Sequence, residues 1–218
     1  VETPADYRAR HIDQINVGGK GTPQRIRAAV LSELPDPLTE YVRVDENTSA
    51  IVDSDGRPPH SFELTWIGTA TAAQVAAVVF TQKPAGIQAY GSTTVEVEDE
   101  VGEVHPIGVS AGTELYLHLD ITVTGGEGFP TTGDLDDAIA EAVVTDLEAR
   151  LGMGSDLYLV AVVRAVVDAV AGVAAVAVET GTTAGAEDPT PALAAADVTV
   201  ASTAILRVAS TRIAVTIA

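Results

Sequence analysis

Glu114-Leu115-Tyr116-Leu117-His118-Leu119-Asp120-Ile121-Thr122-Val123-Thr124 alternates without interruption. Leu115, Leu117, Leu119, Ile121 and Val123 fall on one face, while Tyr116, His118, Asp120, Thr122 and Thr124 fall on the other. A period of two sustained over such a length predicts a half-buried strand of an antiparallel sheet.

Upstream of it, Thr94-Val95-Glu96-Val97-Glu98 alternates with its acids outward, and Val104-His105-Pro106-Ile107 returns after Val101-Gly102. That pair predicts a hairpin. Tyr41-Val42-Arg43-Val44 and Phe62-Glu63-Leu64-Thr65-Trp66-Ile67 predict two more strands, paired antiparallel across the turn-rich Asp53-Ser54-Asp55-Gly56-Arg57-Pro58-Pro59. Cap-then-proline signals open helices at Thr3-Pro4, running to Asn16, and at Thr22-Pro23, running to Leu34. The glycine-rich Val17–Gly21 between them predicts a flexible break. Thr71 caps a helix through Gln82, with Val75, Val78 and Val79 on one side, and Lys83-Pro84-Ala85-Gly86 stops it.

Downstream, Gly125–Gly133 predicts a loop around Phe129-Pro130. A helix follows from Asp134 to Leu151, with Ile139, Val143, Leu147 and Leu151 as its apolar stripe. A more buried helix runs to about Ala171, then a strand over Val173–Glu179. Gly181–Pro191 predicts a mobile loop, Val198–Val200 and Ile205–Val208 short strands, and Ile213–Ile217 a last strand. The sum is an α+β fold of two small lobes with mainly antiparallel sheets and packed helices. Residues 1–92 form an N-terminal lobe (helix-helix-strand-strand-helix), 93–112 a hairpin connector, and 113–218 a C-terminal lobe.

The chain has 218 residues, no cysteine and 46% hydrophobic content, with only 4% aromatics. Disulfides, thiolate metal sites and cysteine nucleophiles are thereby excluded. Twelve Lys+Arg stand against 31 Asp+Glu, a formal charge of −19. Nucleic-acid binding needs cations facing phosphates, and an anionic membrane surface needs the same, so both are excluded as partners. Lys20 and Lys83 are the only lysines. Such an acidic, lysine-poor, Ala/Val-rich composition is what a halophilic host or a high-GC genome produces. The apolar stretch Leu157–Val178 carries Arg164 and Asp168 at its middle, each costing about 3 kcal/mol at a bilayer centre. It therefore predicts a buried helix followed by a strand, with no membrane insertion.

The motifs that could carry chemistry resolve into structural readings. His11, His60, His105 and His118 have no metal-ligand spacing to one another. Asp53-Ser54-Asp55-Gly56 begins like a calcium loop, but glycine stands fourth rather than sixth and Leu64 stands at the twelfth position, so it reads as a turn. Gly18-Gly19-Lys20-Gly21-Thr22 follows a helix rather than a strand and has its lysine before the last glycine, which reads as a hinge rather than a phosphate cradle. Gly108-Val109-Ser110-Ala111-Gly112 fits the G-x-S-x-G string but lies between a hairpin and a strand, not on a strand-to-helix turn. No catalytic, cofactor or metal residue is predicted, and the chain is not read as an enzyme.

The order of several strings resembles a known family. Glu2-Thr3-Pro4-Ala5-Asp6-Tyr7-Arg8-Ala9-Arg10, then Gly18-Gly19-Lys20-Gly21-Thr22-Pro23 before a helix, resembles the baseplate J-like family of tailed-phage proteins. Asp53-Ser54-Asp55-Gly56-Arg57-Pro58-Pro59-His60-Ser61-Phe62-Glu63 and Lys83-Pro84-Ala85-Gly86-Ile87-Gln88-Ala89-Tyr90-Gly91-Ser92 resemble it too, as do Gly128-Phe129-Pro130 and the Gly172-Val173 step. The resemblance covers nearly the whole chain, and the Lys-Pro-Ala-Gly-Ile…Tyr-Gly string is its most specific part. It implies a structural wedge protein of a contractile-tail baseplate or a related injection machine. Such a protein joins neighbouring wedges into a ring around the tail hub. It is placed in the virion and assembled in the host cytoplasm. The expected partners are other baseplate proteins and copies of itself. The resemblance implies no catalytic residue, cofactor or metal. The family's usual N-terminal portion has no counterpart here, as expected of part of a longer protein. The candidate subunit-contact loop comprises Lys83, Pro84, Ala85, Gly86, Ile87, Tyr90 and Gly91. The alternative is a surface- or carbohydrate-binding module of a tail appendage, which would need exposed aromatics.

Overall fold

The computed structural model describes residues 21–131 and 133–218. The expected helix over Pro4–Asn16, His11 and Lys20 lie outside the described residues. Four α-helices and nine strands are seen among the described residues, in two compact units divided between Gly112 and Thr113. The fold is α+β.

In the first unit, helix α1 (Pro23–Glu33) starts as its sequence dictates. The Thr22 hydroxyl accepts the Arg25 N–H at 3.2 Å, and Pro23 occupies the first turn, where no N–H is needed. Strands β1 (Tyr41–Asn47) and β2 (Ser61–Ile67) pair antiparallel from Tyr41↔Ile67 to Asn47↔Ser61. Helix α2 (Ala72–Gln82) opens with a reciprocal capping box between Thr71 and Gln74. It returns the chain to β3 (Gln88–Tyr90), which lies parallel to β2. The hairpin β4 (Thr93–Glu98) and β5 (Val104–Ala111) comes after it. The far end of β5 pairs parallel with β2 at Thr65↔Ser110 and Trp66↔Ala111. The hairpin expected as a connector is thus woven into the first sheet, whose order is β1-β2-β5-β4 with β3 beside β2.

Every residue of β2 is buried, because both its faces are covered. Phe62, Leu64 and Trp66 pack with Ile26 and Val30 of α1, Val75 and Val79 of α2, and Ile107 and Val109 of β5. Ser61, Glu63 and Thr65 belong to the opposite, polar face.

The second unit is built on the long strand β6 (Thr113–Gly125). Helix α3 (Leu135–Arg150) succeeds it, with Asp136 and Asp137 in its first turn and Arg150 in its last, as the helix dipole favours. Helix α4 (Leu159–Ala169) and strand β7 (Val173–Thr183) come next, and β7 pairs antiparallel with β6. The other edge of β6 is shared by two short parallel strands in tandem. β8 (Ala204–Arg207) covers Thr113–Tyr116, and β9 (Ile213–Ile217) covers Leu119–Val123, with a 3-10 turn at Ser210–Arg212 between them. Leu117, Leu119, Ile121 and Val123 face Ile139, Val143 and Leu147 of α3 and Val162 and Val166 of α4.

Two further details depart from the sequence expectation. Gly181-Thr182-Thr183, expected in a loop, extends β7, because His118, Leu117 and Tyr116 of β6 supply partners there. Val198 forms only an isolated bridge to Leu157 rather than a strand. Among the described residues no helix is long and apolar enough to cross a membrane.

Candidate functional site

Lys83–Gly91 leaves α2 and enters β3 with both ends fixed. The Lys83 N–H donates to the Val79 carbonyl at 2.8 Å, closing the helix, and its ammonium donates to the Ile87 carbonyl at 3.4 Å. Ala89 is buried, and Tyr90 stands opposite Glu63 of β2. Between these anchors, Ala85, Gly86 and Gln88 are exposed. Gly86 has φ +80° with open space where a Cβ would stand, so glycine serves the turn's conformation rather than a close approach.

Three strings far apart in sequence meet at this segment. A Cβ on Gly21 would lie 3.0 Å from Cβ of Pro84. One on Gly56 would lie 3.7 Å from the Tyr90 hydroxyl. Gly91 packs directly on the Val109 backbone of β5. Gly21 thus abuts the start of the segment, and Gly56 and Val109 abut its end.

Behind it, the Asp53–Pro59 turn closes on an arginine. Asp53 Oδ1 accepts the N–H groups of Asp55 at 3.0 Å and Arg57 at 2.9 Å. Its Oδ2 accepts from Arg57 Nε at 2.7 Å, and Asp55 Oδ2 accepts from Arg57 Nη2 at 2.6 Å. Arg57 Nη1 also faces Glu63 at 3.5 Å and Asp45 at 3.8 Å. The Asp carboxylates that open like a calcium loop are thus committed to a guanidinium. Burial pushes the Asp53 carboxyl up, but the bonds and charge of Arg57 outweigh it and hold Asp53 below the usual carboxylate range. Burial likewise works against the Arg57 charge, and its bond to Asp53 with the charges of Asp53, Asp45 and Asp55 overcomes that.

Ser110, the serine of the G-x-S-x-G string, is buried in β5. Its hydroxyl donates to Glu63 Oε1 at 2.5 Å and accepts the Ser92 N–H at 2.9 Å. The group joined to it is a carboxylate already facing Arg57, and the chain around it is a strand rather than an elbow. Gly108 of the same string lets Tyr90-Gly91 pass: a Cβ there would meet the Gly91 nitrogen at 2.6 Å. The string is accounted for by strand crossing.

The described histidines occupy separate places. His60 adopts φ 53° at the entry to β2. His118 is buried, with Nε2 3.2 Å from Thr183 Oγ1; burial, reinforced by the charge of Arg212, lowers its pKa below the ordinary value of 6.5. His105 packs on Phe80 and faces Asp99. A search for histidine-to-histidine spacing misses this last arrangement. The signal that finds it is an acid before the hairpin turn, with an acid and a histidine two residues apart after it.

In the second unit, Gly172 (φ +74°) bears on the backbone of Gly128 and Phe129, and the Gly126 N–H donates to the Gly172 carbonyl at 2.7 Å. The Gly128-Phe129-Pro130 string and the Gly172-Val173 step are therefore two sides of one contact.

No known protein family and no curated protein matches the sequence.

Proposed function

We propose that this protein is a structural component of a tailed-virus baseplate, a wedge protein that joins neighbouring subunits into a ring around the tail hub. The observation that carries the reading is a solvent-facing turn of small residues, Ala85-Gly86, held at both ends, with Gly21 against Pro84 before it and Gly56 near Tyr90 after it. A turn so held presents its backbone to a neighbour with little conformational entropy left to lose on contact. Its partners in this reading are copies of the same chain and other baseplate proteins, and repetition of one contact closes a ring. The protein works by binding rather than by catalysis, in the virion, after assembly in the host cytoplasm.

Mass spectrometry of tail particles fractionated into sheath, tube and baseplate tests this. Peptides spanning Lys83–Tyr90 should co-fractionate with the baseplate, and Ala85→Glu should lower incorporation while leaving the isolated chain folded. Recovery of the protein free of particles would overturn the reading. A carbohydrate-binding module draws less support: Trp66 is spent in the core, where its indole N–H donates to the Ala70 carbonyl at 3.1 Å, and the exposed aromatics among the described residues are Tyr41 and Tyr158, one in each unit.

A further inference from the structure

We infer that the β4–β5 turn is a binding site for a divalent transition-metal ion of the zinc class, held by His105, Asp99 and Glu103. The inference stands independently of the baseplate reading. It starts from register. Val97 pairs with His105, so Asp99, two residues after Val97, and Glu103, two residues before His105, share the face of that pair. One candidate donor atom from each of the three residues lies within 4.8 Å of the others.

The imidazole makes this a ligand set rather than an acidic patch. His105 Nε2 lies 3.1 Å from Asp99 Oδ2. An ion about 2.1 Å from both would subtend an angle of about 95°, within the range of tetrahedral and octahedral zinc-class sites. The His105 ring is oriented from outside the set, by Phe80 at 5.0 Å between ring centroids. Phe80 and Val97 belong to the apolar margin of the core, so one side of the site is apolar. Glu103, which is exposed, brings the third donor, leaving the remaining positions to water. One imidazole with carboxylates favours zinc, cobalt, nickel or manganese over calcium and magnesium, which prefer all-oxygen sets.

Isothermal titration of zinc chloride into the full chain, in a non-chelating buffer near neutral pH, tests the site. Saturable binding of one ion per chain is expected. His105→Asn should weaken binding by about tenfold or more, and Glu103→Gln by a smaller factor. Both side chains are at least partly exposed, and unchanged circular dichroism of the variants would show that they still fold. Zinc should raise the melting temperature of the parent chain and not that of His105→Asn, while magnesium and calcium give no comparable shift. Equal zinc binding by the parent chain and His105→Asn would assign the metal to scattered surface carboxylates and overturn the inference. So would the lack of saturable binding below millimolar zinc.

Discussion

Gly91 and Gly108 lie backbone to backbone where the chain leaving β3 crosses β5. A Cβ added to Gly108 would stand 2.6 Å from the Gly91 nitrogen, and one added to Gly91 would run into the backbone of Val109. Neither obstacle is the end of a flexible side chain, so the strands themselves would have to part. Gly108→Ala and Gly91→Ala should each destabilise the first unit by about 1–3 kcal/mol or more. Urea denaturation followed by Trp66 fluorescence reads this directly, and midpoints equal to that of the parent chain would refute the close crossing.

Arg57 holds Asp53, Asp55, Asp45 and Glu63 against the polar face of β2. Arg57→Met leaves those carboxylates facing one another in a partly dry place. The expected loss is on the order of 3 kcal/mol. Arg57→Lys should recover little, since an ammonium cannot reproduce the forked geometry. Denaturation curves of the two variants decide the point, and a lysine variant as stable as the parent would contradict the geometric account.

His118 gives the second unit a pH dependence of definite sign. Burial and the Arg212 charge lower its pKa in the folded chain, whereas the unfolded chain protonates near 6.5. The unfolded state therefore binds the extra proton first as pH falls. Stability contributed by the neutral ring is complete above 6.5 and is lost progressively below it, down to the depressed folded pKa. His118→Gln should flatten that decline in thermal melts taken across the window. A slope unchanged by the substitution would remove His118 as its origin.

Thr71 caps α2, its hydroxyl accepting the Gln74 N–H at 3.3 Å while Gln74 Oε1 accepts the Thr71 N–H at 2.9 Å. Thr71→Ala should cost about 1 kcal/mol, visible as a lower denaturation midpoint.

The charge of −19 predicts a response to salt. Screening shortens from about 8 Å at physiological ionic strength to about 3 Å at 1 M, which relieves repulsion among unpaired carboxylates. The melting temperature should climb from low to molar salt. A flat profile would argue against a halophilic origin for this composition.

Elements with local signals were legible in the sequence. Thr22-Pro23 and Thr71 marked their helix starts, and the alternation around Ile121 marked β6 to within a residue of each end. What stayed hidden depended on partners distant in the chain. β3 is three residues long and has no period to detect; it is a strand because Ser61–Glu63 lie beside it. The parallel joining of β5 to β2 is written only in register. At the candidate contact loop, the stop at Lys83–Gly86 was legible. The packing of Gly21 on Pro84 and of Gly56 near Tyr90 was not, because glycine advertises a turn without saying what approaches it. The ion pairs of Arg57 have no sequence signal of their own, because Asp53 forms an Asx-type turn that explains itself locally.

The tandem placement of β8 and β9 along β6 has a consequence for synthesis. Every described strand of the first sheet precedes Gly112, so that unit can close while the ribosome is still making the second. β6 has no such advantage. Leu119 is translated long before Ile213, its neighbour in the finished sheet. At ordinary elongation rates that interval is on the order of ten seconds. For that time the longest of the described strands stands with an open edge, and the acids it carries, Glu114 and Asp120, are its own protection against pairing with another nascent chain.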